Sequence, residues 1–176
     1  MKRVAVFGNA GGGKSALSRR LAELTGLPLH TIDLMQFRAG GVAVPYEEFL
    51  SAHASLLRED TWVIDGYGSV ALAWERFARA DTLIHVDLPL ATHGWRVTKR
   101  FVKGLFADPP GWPEASPLWS STMSSYRVLW PCHRHLTPKY RQYMADAAAT
   151  KRVHRLTSPA QMRAFLDEVS RENARR

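Results

Sequence analysis

Apolar residues follow two rhythms along this chain, and the rhythms alternate. Residues 3–7 (Arg-Val-Ala-Val-Phe) form a short apolar run ending in glycines, the pattern of a buried parallel strand. Leu17, Leu21 and Leu24 then recur at i, i+4 and i+7. That spacing predicts a helix with one apolar stripe, closed by Gly26 and Pro28. Residues 28–32 predict a second short strand ending at Asp33, followed by a Gly- and Ala-rich loop from Ala39 to Ala43 and a helix from about Tyr46 to Arg58. Trp62-Val63-Ile64 reads as a third strand ended by Asp65-Gly66, residues 70–80 as a helix, and Thr82 to Val86 as a fourth strand ended by Asp87 and Pro89. A long helix is predicted from about Ala91 to Leu105. Residues 107–117 carry four prolines and a glycine, which makes them a loop and, by position, a candidate lid spanning 104–120. Helix is predicted again from about Leu118 to Ala148, broken at Pro131 or Pro138. Val153 to Leu156 forms a fifth strand, and Ser158-Pro159 opens the last helix with a cap and a proline at its first position. Short strands alternating with helices imply an α/β fold, a parallel sheet covered on both faces.

Composition adds bounds. A length of 176 residues with 45% hydrophobic and 23% charged positions suits one domain, 1–176, without internal repeat. Cys132 is the single cysteine, so no internal disulfide forms, in keeping with a reducing compartment. The N-terminal apolar run is too short for a signal peptide, and no stretch approaches 18 apolar residues, so the expected location is cytoplasmic, with no membrane partner. A net charge of +8 points to anionic partners: nucleotides, phosphorylated compounds or, more weakly, nucleic acid. No helix-turn-helix or zinc-finger pattern supports the last of these.

Residues 8–15, Gly-Asn-Ala-Gly-Gly-Gly-Lys-Ser, match the spacing G-x-x-x-x-G-K-[ST] in full, between a predicted strand and a predicted helix. Each part has a use. Gly8, Gly11, Gly12 and Gly13 let the backbone bend round a polyphosphate and aim N–H groups at it. Lys14 can reach the β- and γ-phosphates, the Ser15 hydroxyl can ligate Mg²⁺, and the helix adds its positive dipole end. No Asn-Lys-x-Asp motif specifies guanine, so the expected nucleotide is ATP. A carboxylate at another strand end should support the metal. Asp65 and Asp87, each after an apolar run, are the two candidates; Asp65 is preferred, and for Asp87, followed by Leu-Pro-Leu, a cap or turn role is the plainer expectation.

Further ordered pieces carry a resemblance: Ile32-Asp33, residues 62–67 (Trp-Val-Ile-Asp-Gly-Tyr), residues 83–89 (Leu-Ile-His-Val-Asp-Leu-Pro) and residues 95–100 (Trp-Arg-Val-Thr-Lys-Arg). Over residues 2–170 the sequence resembles the adenylate-kinase-like P-loop proteins known as DNA topology modulation proteins, within the nucleoside monophosphate kinase group. The resemblance implies a five-stranded parallel sheet of order 2-3-1-4-5, an acceptor site between the second and third strand ends, and a lid after the fourth strand. It implies that Asp65 holds Mg²⁺ through water. It also implies that Arg96 and Arg100, on one helix face at i and i+4, clamp the transferring phosphate from the base of the lid. Asp33 would orient or deprotonate an acceptor hydroxyl. One of Arg127, Arg134 and Arg141 would reach back to the phosphates. The family's name carries a rival expectation, a nucleotide-dependent DNA-associated regulator.

Two departures weaken AMP as acceptor. Gly68-Ser69 stands where adenylate kinases carry a Pro-Arg pair, and Phe106 to Leu118 contains no basic residue. Arg38 and Arg76 could meet an anionic acceptor, though surface charge is the plainer expectation for each. Cys132, His133 and His135 match no zinc-ligand spacing. Trp62 is expected in the core, with Trp112 and Trp119 flanking the lid. The expected activity is transfer of the ATP γ-phosphoryl group to a small acceptor of unspecified class.

Overall fold

A computed structural model describes residues 1–105 and 118–175. Five strands make one sheet: β1 (Arg3–Gly8), β2 (Leu29–Thr31), β3 (Trp62–Asp65), β4 (Thr82–Val86) and β5 (Arg152–Leu156), in spatial order β2-β3-β1-β4-β5. All pairings are parallel, with Val4 beside both Val63 and Thr82. Parallel neighbours need crossovers, and helices supply them. These are α1 (Lys14–Thr25), α2 (Ile32–Gln36), α3 (Tyr46–Leu56), α4 (Val70–Arg79), α5 (Leu90–Gly104), α6 (Leu118–Pro131), α7 (Thr137–Ala147) and α8 (Pro159–Ala174). Every strand therefore delivers its carboxyl end to the same edge, with β1 at the centre.

Alternation along the strands divides the core in two. Val4, Val6, Val63, Ile84 and Val86 pack with Leu17 and Leu21 of α1 and with Phe165 and Val169 of α8. Ala5, Phe7, Trp62, Ile64 and Leu83 face the other way, onto Phe49 of α3, Phe77 of α4 and Tyr140 and Met144 of α7. That second layer is aromatic. The Phe7 and Phe77 rings lie 4.1 Å apart between centroids, and Trp74 meets Tyr140 edge-on at 5.7 Å. Trp62 is completely buried, as its place in an apolar run predicts.

The helix and strand positions read from the sequence hold to within a few residues, with three physical differences. Asp33 does not sit at a strand end: the chain turns into α2 at Ile32, whose fully buried side chain anchors the turn, and Asp33 falls in the first turn of that short helix. The helical stretch after residue 118 is not broken at either proline. Pro131 lacks the N–H that would continue the ladder, and the helix widens into a π turn over Cys132–Leu136, where Thr137 N–H donates to the Cys132 carbonyl five residues back. Pro138 lies in the first turn of α7, where a missing N–H costs nothing. The candidate lid falls largely on 106–117, outside the described residues, as does Trp112.

Asp87 is the third difference. It is an ion-pair centre rather than a cap. Its carboxylate, almost fully buried, accepts two hydrogen bonds from Arg141 (2.8 and 3.0 Å) and one from Arg155 (2.7 Å), tying α7 and β5 to the end of β4. Burial alone would raise its pKa, but the two guanidinium groups override this and hold it below the ordinary 3.8. A depressed carboxylate contributes stability above its unfolded pKa and loses it as pH falls through the folded one. Both arginines remain about half exposed, which discounts the pairing. Asp87→Asn should therefore cost about 1–2 kcal/mol near pH 7. That difference should shrink as the pH drops below 3.8, in urea titrations run at several pH values. Parallel stability curves for the two proteins would refute the assignment.

Candidate active site

The loop between β1 and α1 is built by close approach. Gly8 ends β1 at φ 139°, and a β-carbon there would lie 2.3 Å from the Val86 carbonyl oxygen. A β-carbon on Gly11 would lie 2.6 Å from the His93 carbonyl oxygen, so the loop is seated directly on α5. Gly12 is buried at the base of the loop. Gly13 caps α1 with no side chain bonded to the first turn. Lys14 and Ser15 open α1, and both are half-buried.

The loop's carbonyl groups, in contrast, are occupied. Lys14 Nζ donates to the Asn9 carbonyl at 2.9 Å, His93 Nδ1 bonds the Ala10 carbonyl at 2.7 Å and Arg96 Nη1 donates to the Gly12 carbonyl at 2.7 Å. Asn9, itself buried, accepts from the Ala10 N–H and donates to the Leu129 carbonyl of α6 at 2.8 Å. Carbonyls turned into the protein leave the opposing N–H groups of their peptide planes turned the other way. Opposite the Asn9 carbonyl the Ala10 N–H is taken by Asn9 Oδ1, so the Gly11 and Gly13 N–H groups, with the uncapped first turn of α1, are the donors the loop offers a polyphosphate.

Two carboxylates face this cationic region. Asp65, at the end of β3, is 1% exposed, and its Oδ1 has no hydrogen-bond partner among the described residues. A buried, unpartnered carboxylate oxygen at the end of β3, the strand beside β1, fits the water shell of a divalent cation. Asp33 has its pKa raised. Burial is the main cause, Lys14 opposes it, Asp65 adds to it, and Arg100 and Arg76 oppose it. Asp33, Asp65, Lys14, Arg100 and Arg76 therefore form one electrostatically coupled group.

Arg100 donates to Ser125 Oγ of α6 at 2.7 Å, and burial lowers its pKa while Asp33 raises it. Arg96 and Arg100 share a face of α5, as their spacing predicts, and Arg96 Nη1 would lie 2.9 Å from a β-carbon on Gly13. Of the three later arginines, Arg141 is taken by Asp87, while Arg127 and Arg134 are exposed. Arg38 is exposed and paired with Glu48 at 3.0 Å.

Arg76 departs from the surface role expected of it. It is 2% exposed, and its Nη2 donates to the carbonyls of Gly66 (3.1 Å) and Tyr67 (2.5 Å) while Nη1 meets His53 Nε2 at 3.4 Å. Burial lowers its pKa to about 10, leaving it charged at neutral pH, and lowers that of His53 to about 4, leaving that ring neutral and able to accept. The guanidinium fixes the loop after Asp65 from beneath.

Sequence reading missed His93 and Asn9, and it expected at the surface the Arg76 that is buried. For His93 a signal existed, since it lies three residues before Arg96 and so on the same helix face. Asn9 occupies a position where the loop motif specifies nothing. Cys132 points inward, His133 lies beside Trp130 and His135 is exposed, so the helical turn separates them. Trp119 is 65% exposed on α6 and meets Phe101 edge-on. Among the described residues no helix is long and apolar enough to cross a membrane.

No protein-family model matches the chain, and no curated protein matches it. Solved structures do. A shikimate kinase from Acinetobacter baumannii in complex with shikimate is 17% identical with a TM-score of 0.60, covering 96% of this chain and 90% of its own. A gluconokinase from Sinorhizobium meliloti is 15% identical with a TM-score of 0.50, covering 99% of this chain and 92% of its own. The five-stranded parallel sheet, its strand order and its covering helices are thus those of the P-loop kinase fold.

Proposed function

We propose that this protein is a small-molecule kinase that transfers the γ-phosphoryl group of ATP, with Mg²⁺, to a hydroxyl of a small acceptor. The observation that carries this reading is the coupled group at the sheet edge. Beside a phosphate-type loop, Asp33 is held with a raised pKa, in the electrostatic reach of Lys14, Arg100 and Asp65. Two structural neighbours named as kinases of small hydroxylated compounds, shikimate kinase and gluconokinase, support the same reading at the level of fold.

Bound Mg²⁺ would supply neutralisation of phosphate charge, held by Ser15 and, through water, by the unpartnered Asp65 carboxylate. The chain's own residues do the rest. Lys14 and Arg96 rest on carbonyls of the loop and keep further N–H donors with which to meet phosphate oxygens. Arg100, from the same face of α5, supplies a second guanidinium toward the acceptor side. Asp33 accepts the hydroxyl proton, and its raised pKa makes it a stronger base than an exposed carboxylate. Gly68-Ser69, in place of a Pro-Arg pair, offers no cation to an acceptor phosphate there, which favours a hydroxyl over AMP.

The decisive test is ADP release with Mg²⁺-ATP, alone and with a panel of nucleoside monophosphates, nucleosides and hydroxylated metabolites. Stimulation by one hydroxyl compound, lost in Lys14→Ala, is the expected result. ATP binding with no stimulation by any acceptor would turn the balance toward a nucleotide-gated regulator, whose DNA binding should then fall steeply with salt.

Arg96→Ala and Arg100→Ala should each lower turnover by about 10³–10⁵ while leaving the fold intact, measured by single-turnover phosphoryl transfer. A loss below tenfold would remove that arginine from the chemistry.

Asp33 yields a pH prediction with a definite sign. A carboxyl raised above 3.8 must lose its proton to act, so kcat/KM should fall as pH drops through the raised value. The same shift works against the fold at neutral pH, because stability tied to a raised carboxyl is lost as pH rises through its folded pKa. Asp33→Asn should thus lose about 10²–10⁴ in rate together with the acidic limb, yet be no less stable at pH 7. A retained acidic limb in Asp33→Asn would assign it to another group.

A further inference from the structure

Between the nucleotide loop and α5 lies a side chain that the chemistry above leaves unused. His93 is 2% exposed, one turn before Arg96, and its Nδ1 is 2.7 Å from the Ala10 carbonyl oxygen. A carbonyl only accepts, so Nδ1 carries the proton. The ring also forms the floor of the loop, since its Cε1 would lie 3.2 Å from a β-carbon on Gly12.

We propose that His93, as the neutral Nδ1–H tautomer, is a positioning residue for the nucleotide: by holding the Ala10 carbonyl against α5 it turns the Gly11 N–H toward the bound phosphates. The link is the peptide plane. In a trans peptide the carbonyl of one residue and the N–H of the next point in opposite directions. Pinning the Ala10 oxygen to His93 therefore sends the Gly11 N–H away from α5. The Asn9 and Gly12 carbonyls are held by Lys14 and Arg96. Those two cations also have phosphate oxygens to meet with their remaining donors, whereas His93 has no such second task. His93 is the side chain of α5 given to holding the loop alone.

The surroundings hold the ring neutral. Burial is the largest influence lowering its pKa, the bond to Ala10 opposes it, and nearby Lys14 and Arg96 lower it further against the opposing charge of Asp87. A neutral ring needs a specified tautomer, and the Ala10 carbonyl specifies it.

This inference rests on the loop being a nucleotide site, and its test separates the two. Asparagine places its amide N–H where Nδ1–H stands, whereas glutamine reaches toward Nε2. Binding of a fluorescent ADP with Mg²⁺ should weaken less than threefold in His93→Asn and tenfold or more in His93→Gln. Equal affinity in the two variants, whether high or low, would overturn the proposal. Nitrogen-15 NMR of the unsubstituted protein gives a readout that needs no variant to fold. Expected is a His93 ring with Nδ1 protonated and Nε2 free at pH 7. An Nε2–H tautomer, or an imidazolium, would sink the proposal. Failure of the unsubstituted protein to bind ADP, with the tautomer as expected, would instead sink the nucleotide reading.

Discussion

The trans peptide plane is the constraint on which this site depends. A backbone loop can bind a polyanion only if several consecutive N–H groups point one way, and each such N–H forces the preceding carbonyl to point the other. Those carbonyls would then be buried acceptors without donors, an arrangement costing about 1–3 kcal/mol apiece. Here Lys14, His93 and Arg96 supply the donors for Asn9, Ala10 and Gly12. The cradle is thus a property of α5 as much as of the loop. It explains why Gly11 must be small: its missing β-carbon is what lets α5 come close enough to supply His93 and Arg96.

The same economy governs the turn after β3. The turn after β3 exposes the carbonyls of Gly66 and Tyr67 to the interior, and Arg76 answers both from α4. A guanidinium buried to this extent is costly unless its donors are matched and opposite charge is near. Both conditions hold, since the carbonyls and neutral His53 take its hydrogen bonds and Asp33 and Asp65 raise its pKa against the effect of burial. One buried cation therefore shapes the turn after β3 and helps offset two carboxylates that would otherwise repel each other. The raised pKa of Asp33 is the residue of that balance, with burial outweighing the nearby cations.

The fold was legible because its signals are local and repeated. Apolar strand runs, the i, i+4, i+7 leucines of α1 and the glycine loop each report on neighbours in sequence, and sheet order followed from the resemblance those pieces carry. The shared face of Arg96 and Arg100 on α5 was legible for the same reason, two cations at helical spacing. Arg76 was not. Its burial follows from the carbonyls of a turn ten residues earlier, and nothing beside it in sequence distinguishes it from an exposed helical arginine. Asp87 misled in the opposite direction. A carboxylate before Leu-Pro-Leu looks like a turn residue, yet the groups that claim it, Arg141 and Arg155, are 54 and 68 positions away.

This difference between local and distant signals bears on how the site works. The residues that sequence spacing reveals are those placed by their chain neighbours, Lys14 by the glycine loop and Arg96 and Arg100 by helical spacing, even where they also rest on a loop carbonyl. The residues it conceals are those whose place only the backbone of another element explains: Arg76 under the β3 turn, His93 under the loop, Asn9 on the Leu129 carbonyl. They share a chemistry, a buried side-chain donor spent on a main-chain acceptor, and all three lie where backbone must present an unusual face to the site. A polar side chain buried against carbonyls is expensive to keep unless the backbone orientation it enforces is needed. Among the described residues these three gather around the ends of β1 and β3, where the sheet delivers its loops to one edge.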